Sequence, residues 1–245
     1  MIARRASLSI AAAAVVVFAL AAGAAKKEEN SATKKNAKDE KDAKTPVSWY
    51  ARSLVQSEAG IIVWDYWAKG RKLRAETIVG GTPIVTFVSG EFYTIVDMLT
   101  RTGVAIRRAP EAIAADKTRA GERGFGREGE ELIAKGAELV RSENLSGRPC
   151  KMYRLTDERG KTEVWLTDDK RKLPVRVEFS RRDTGAKSTT DYIDWIADLE
   201  LSDPFFEPDP RVELERVEYA DYVKRSQSGS VGPAPVLFSN LLHGR

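Results

Sequence analysis

What this chain can fold into is limited first by alternation at period two, cut at short intervals by glycine turns. Leu73, Ala75, Thr77 and Val79 alternate with Lys72, Arg74 and Glu76, and Gly80-Gly81 follows directly. Such alternation marks a half-buried strand, and a two-residue Gly-Gly link marks a hairpin. The same pattern predicts strands over Arg52 to Glu58 and Ile61 to Ala68 around Ala59-Gly60, and over Ile84 to Val88 and Phe92 to Val96 around Ser89-Gly90. A further strand is predicted near Val104 to Arg107. Links this short exclude parallel crossovers, so the segment reads as an antiparallel meander.

The period changes in the middle of the chain. Ala109 to Arg119 opens with Pro110 and Glu111, good first-turn residues, and predicts a helix. A second short helix is predicted over Glu128 to Lys135, stopped by Gly136, with Leu132 and Ile133 on one face. Between them, Gly121, Gly124 and Gly126 supply a permissive hinge rather than a phosphate loop, because the preceding buried strand and the Lys-Ser/Thr pair are missing. Strands resume at Glu138 to Glu143, Cys150 to Thr156, Thr162 to Thr167, Val175 to Ser180 and Ser188 to Leu199, and Asp203-Pro204-Phe205-Phe206-Glu207-Pro208 is expected to close the sheet. The fold class is therefore mainly β, one curved antiparallel sheet with a helical plug.

The ends of the chain have different grammars. Arg4-Arg5, an apolar run from Leu8 to Ala22 and then Ala22-Gly23-Ala24 match a secretory signal peptide, cleaved after Ala24 or Ala25. An uncleaved membrane anchor is the alternative, disfavoured because a spanning helix needs about 20 apolar residues. Lys26 to Lys44 holds seven Lys and five Asp/Glu without a large apolar residue, so it is expected to be a disordered tether. The expected division is thus a signal peptide over 1–25, a charged linker over 26–45, a β domain over 46–222 and a tail over 223–245. In that tail Ser226-Gln227-Ser228-Gly229-Ser230 has spacer composition, and Pro233 to Leu242 is apolar. A spacer before a compact apolar segment implies docking, either onto the same domain or onto an envelope partner.

Composition also excludes function classes. Cys150 is the single Cys and His243 the single His, so a disulfide, a His-based triad, a His/Cys zinc site and a haem ligand set all lack their parts. Cys150 is expected to be a small buried strand residue. The paired acids Glu130-Glu131, Asp157-Glu158 and Asp168-Asp169 are read as solvated surface, since adjacent strand residues point to opposite faces. The net charge of +4 is spread among interleaved charges, with no basic block. Nucleic acid is therefore not an expected partner. No catalytic activity, cofactor or metal is expected.

Several motifs carry a family resemblance. Tyr66-Trp67-Ala68-Lys69-Gly70-Arg71-Lys72-Leu73-Arg74-Ala75-Glu76, then Glu163-Val164-Trp165-Leu166-Thr167 with Leu173-Pro174-Val175-Arg176-Val177-Glu178, then Pro204-Phe205-Phe206 with Pro208, resemble in order and spacing the outer-membrane lipoprotein-sorting (LolA-like) superfamily. The resemblance spans roughly Pro46 to Val212. It implies an unclosed β-barrel whose concave, apolar side is covered by short helices. It also implies a periplasmic carrier or binding protein for lipoprotein acyl chains or another lipid, or alternatively a non-enzymatic envelope sensor or interaction module. The carrier proper has a K-R-P turn, where this chain reads Lys69-Gly70-Arg71-Lys72 without the proline, so only Arg71 can stand for its arginine.

The residues themselves point the same way. Ile62, Trp64 and Tyr66 share one strand face while Val63 and Trp67 make the other apolar too, which fits either a cavity wall or a filled core. As a cavity, its lining is expected to be Ile62, Trp64, Tyr66, Leu73 and Phe87, with Ile113, Leu132 and Ile133 as lid and Arg71 as a polar contact.

Overall fold

The Gly80-Gly81 turn sets the geometry of the first half of the molecule. Both glycines have positive φ, 57° and 86°, which a two-residue hairpin of the favoured hand requires. In the computed structural model, which describes residues 48–58, 60–118 and 126–244, this turn pairs Val79 with Thr82 and so fixes Leu73 opposite Val88. The expected signal peptide, the charged linker, Gly121 and Gly124 lie outside the described residues.

The strands are β1 (Ser48–Ser57), β2 (Gly60–Lys69), β3 (Lys72–Val79), β4 (Thr82–Ser89), β5 (Phe92–Asp97), β6 (Thr102–Arg107), β7 (Glu138–Leu145), β8 (Arg148–Thr156), β9 (Gly160–Thr167), β10 (Pro174–Arg181), β11 (Lys187–Ala197) and β12 (Glu213–Val217). They form one sheet in the order β12-β6-β5-β4-β3-β2-β1-β11-β10-β9-β8-β7. Two meanders, β2 to β6 and β7 to β11, are thus joined through β1, which pairs with β2 on one side and β11 on the other. The sheet is curved and has two free ends. This is the unclosed, helix-covered sheet that the lipoprotein-sorting resemblance implies.

One expectation needs correction. The segment Asp203–Phe206 does not close the sheet; it forms a 3-10 turn. There Phe205 meets Trp67 edge-on at 5.6 Å and lies under the Arg74 guanidinium at 4.4 Å, and Phe206 is fully buried. Phe205 and Phe206 flanked by Pro204 and Pro208 favour a turn with a packed side, because each proline removes a ladder donor. The strand at that end is β12, which lies parallel to β6 and was not anticipated.

Among the described residues four α-helices accompany the sheet: α1 (Pro110–Thr118), α2 (Glu128–Ala134), α3 (Tyr219–Ser226) and α4 (Ser239–His243). None of the described helices is long and apolar enough to cross a membrane. Helix α2 sits over β8 to β10 with Leu132 buried. Its approach depends on glycine at Gly126, whose φ is +69°; a Cβ there would lie 2.1 Å from the Trp195 ring. The main core occupies the concave side, while Cys150, Met152, Trp165 and Val175 form a smaller cluster. Cys150 is 1% exposed, and burial pushes its thiol up.

Candidate ligand-binding face

Strand pairing decides which side chains share the concave face, because residues directly opposite in a ladder point the same way. Trp64 pairs with Thr77, Tyr66 with Ala75 and Ala68 with Leu73; Leu73 continues to Val88, and Val88 to Tyr93. Trp64, Tyr66 and Leu73 are all buried in the main core, where Leu132 joins them and Ile62 and Ile133 pack partly buried against it. Six of the eight expected lining residues are therefore brought together.

Phe87 is not among them. It pairs with Arg74, one residue out of phase with Leu73, and so points to the other side of the sheet. There it packs with Val85 and Val96 beneath the Arg74 guanidinium. Ile113 is also misplaced: α1 turns Ala112 inward, and Ile113 lines an open cleft of about 540 Å³ with Arg107, Pro110 and Tyr219. Arg71 is exposed at the β2–β3 turn, away from the face.

The C-terminal segment covers the part of the face that α2 does not reach. Of the two docking sites the tail's composition allows, the structure has it on its own domain: Val231, Ala234, Leu237, Phe238, Leu241 and Leu242 are all buried in the main core. Phe238 stands edge-on to Trp64 at 5.2 Å and to Tyr66 at 5.6 Å, a favoured aromatic arrangement. Tyr93 Oη accepts the backbone N–H groups of Leu237 and Phe238, at 3.1 and 3.0 Å. Further along, Ala109 N donates to Leu242 O at 2.9 Å, and Arg108 Nε donates to Leu241 O at 2.7 Å.

Arg108 is the polar anchor of this region. Its side chain is fully buried, and its guanidinium is paired to Asp116 at 2.6 and 3.1 Å while also donating to Gly90 O. Burial raises the Tyr66 and Tyr93 hydroxyls far above the usual phenol range, so both stay neutral. Trp64 Nε1 is buried with no acceptor among the described residues, on a wall that also carries Thr77, Thr86 and the Tyr66 and Tyr93 hydroxyls. The face therefore combines aliphatic and aromatic contact with a few polar groups.

Sequence reasoning missed Tyr93, Arg108 and Asp116, and it left open which surface the tail docks on. The tail did carry a signal: Phe238, Leu241 and Leu242 stand at i, i+3 and i+4, the spacing of one helix face.

No protein-family model matches the sequence, and no curated protein matches it. Solved structures that the chain is similar to include an uncharacterized conserved protein from Thermus thermophilus, at 13% identity and TM-score 0.48 over 72% of this chain and 93% of that one. They include the MucA/MucB complex of Pseudomonas aeruginosa, at 14% identity and TM-score 0.43, where the match covers 69% of this chain and 58% of the other. They also include the Mycobacterium tuberculosis lipoprotein LppX, at 10% identity and TM-score 0.39 over 65% of this chain and 90% of that one.

Proposed function

We propose that this protein is a periplasmic binding or carrier protein for an apolar ligand with an acyl chain, held on the concave face. The observation that carries the proposal is the seat of Phe238 between Trp64 and Tyr66, beside an indole N–H that lacks an acceptor. An acyl chain would lie where Phe238, Leu241 and Leu242 now lie, and a carbonyl on the ligand would satisfy Trp64. The exchange is balanced in magnitude. Burying an acyl chain gains about 0.8 kcal/mol per CH₂, on the order of 10 kcal/mol for a long chain. Exposing Leu237, Phe238, Leu241 and Leu242 costs about 1.5–3 kcal/mol each, a similar sum.

The seat also favours a second reading, an envelope sensor or interaction module. What now fills the face is a peptide, so a partner's apolar peptide is the competing occupant.

A dansyl-labelled fatty acid tests the proposal in the full chain. Phe238→Ala should tighten probe binding several-fold by opening the seat, and Trp64→Phe should weaken it while the circular dichroism stays native. Absence of probe binding in both the wild type and Phe238→Ala removes the carrier reading and leaves the interaction module.

A further inference from the structure

The three most exposed large apolar side chains of the described residues are Leu99 (69%), Ile61 (66%) and Ile78 (65%). They lie at or beside the β5–β6, β1–β2 and β3–β4 turns, which antiparallel alternation brings to one rim of the sheet. Exposed Val63 and Met98 extend the same patch. The register aligns them: Val63 lies opposite Leu54, Ile78 lies opposite Pro83, and Met98 N donates to Pro83 O at 3.0 Å. Their neighbours Trp64 and Thr77 point to the concave side, so this row is on the outer side, crossing β2 to β5 over roughly 14 Å at ordinary strand spacing.

The other rim is different. Its turns read Lys69-Gly70-Arg71-Lys72, Ser89-Gly90-Glu91 and Asp168-Asp169-Lys170-Arg171. The molecule is therefore polarised along its strands, apolar at one end of β2 to β5 and charged at the other. The apolar end is also held in shape. Asp97 Oδ1 accepts the N–H groups of Leu99 and Thr100 at 2.7 and 3.1 Å, and Arg101 N closes the turn onto Asp97 O at 2.9 Å.

We propose that this rim docks on a lipid bilayer surface, with Leu99, Met98, Ile78 and Ile61 entering the interfacial layer. Strands β2 to β5 are interior to the sheet, so the patch offers no free backbone edge to a partner strand. It lies on the side of the curved sheet opposite the core that α2 and the tail cover. Adjacent turn tips with apolar side chains suit a broad, deformable apolar phase, and amphipathic surfaces bind such a phase in proportion to the area they bury. The charge around the rim is balanced, so the apolar side chains carry the contact. Asp157, Asp183 and Asp209 are held in ion pairs by Arg159, Arg181 and Arg211. Arg101, Arg182 and Lys187 offer exposed positive charge to lipid phosphates, and Glu58, Asp97, Glu158 and Glu213 offset it.

The proposal is tested with the full chain by a readout local to the turn, so that the apolar run at residues 8–22 does not contribute. Leu99→Cys is labelled with an environment-sensitive fluorophore; native Cys150 is buried and does not compete. With phosphatidylglycerol–phosphatidylethanolamine vesicles, the label at 99 should shift to the blue and be quenched by lipids brominated in the chain, while a label on Arg71→Cys should do neither. Ile78→Glu combined with Met98→Glu should weaken vesicle binding at least tenfold, and Leu139→Glu on the far edge strand should not. Equal responses at 99 and 71, or none at 99, overturn the proposal. So does a blue shift that appears without vesicles and grows with protein concentration, which assigns the patch to a second copy of the chain. Docking without fatty-acid binding, or the reverse, separates this proposal from the proposed function.

Discussion

Arg108 carries a large electrostatic stake in the fold, because its guanidinium is removed from water and its acidic partner, Asp116, is 12% exposed. Deleting one member of such a pair leaves an uncompensated buried charge, which costs about 3–5 kcal/mol. Asp116→Ala should therefore lower the urea midpoint by that equivalent. Asp116→Asn, which keeps an acceptor for the fork, should lose less; equal losses would mean that hydrogen bonding contributes nothing there. Neither residue was visible as a site, since an arginine before Pro110 and an aspartate within a helix look alike whether buried or solvated. Phe87 is the opposite case. The two-residue turn at Gly80-Gly81 pairs 79 with 82, which puts Val88, not Phe87, opposite Leu73. That phase was present in the sequence, and a one-residue slip moved the side chain to the wrong face.

At the scale of elements, α4 shows what sequence can and cannot supply. Five residues are too few for a helix to persist alone, so burial of Phe238, Leu241 and Leu242 must hold it in place. Phe238→Ala removes a side chain in contact with both Trp64 and Tyr66, and a cost of about 3–5 kcal/mol is expected from such a truncation. Thermal unfolding followed by tryptophan fluorescence measures it. A loss under about 1 kcal/mol would show that the segment detaches readily in the native state. The apolar spacing announced a helical contact, but its seat depended on a face assembled from strands more than a hundred residues away. Strand β12 was hidden for a related reason. Glu213-Leu214-Glu215-Arg216-Val217 is short and charged, and it pairs with a strand that its own neighbourhood does not specify.

The whole molecule is two meanders held together by their first strand. Each hairpin was legible because its partners are neighbours in sequence, whereas the join of β1 to β11 pairs Trp49 with Ala197 and has no local signature. The difference has an energetic consequence. Closing a contact over so many residues carries a loop-entropy cost that only the finished core offsets, so the seam forms late even though it lies mid-sheet. Once formed, β1 is bonded on both sides, and its Ala51 and Ser53 are fully buried. Strand β7 stands at the opposite extreme: among the described strands it is paired only to β8, with Leu139 and Val140 exposed and a register break between Leu139 and Arg141. Opening free energies should follow this gradient, since amides exchange through the cheapest opening that frees them. Hydrogen exchange read by mass spectrometry should find β1 and β2 peptides protected longest and β7 peptides exchanged first among the strands. Uniform exchange across β1 and β7 would mean that the sheet opens only as one unit, in which case the edge strand would be no weaker than the seam.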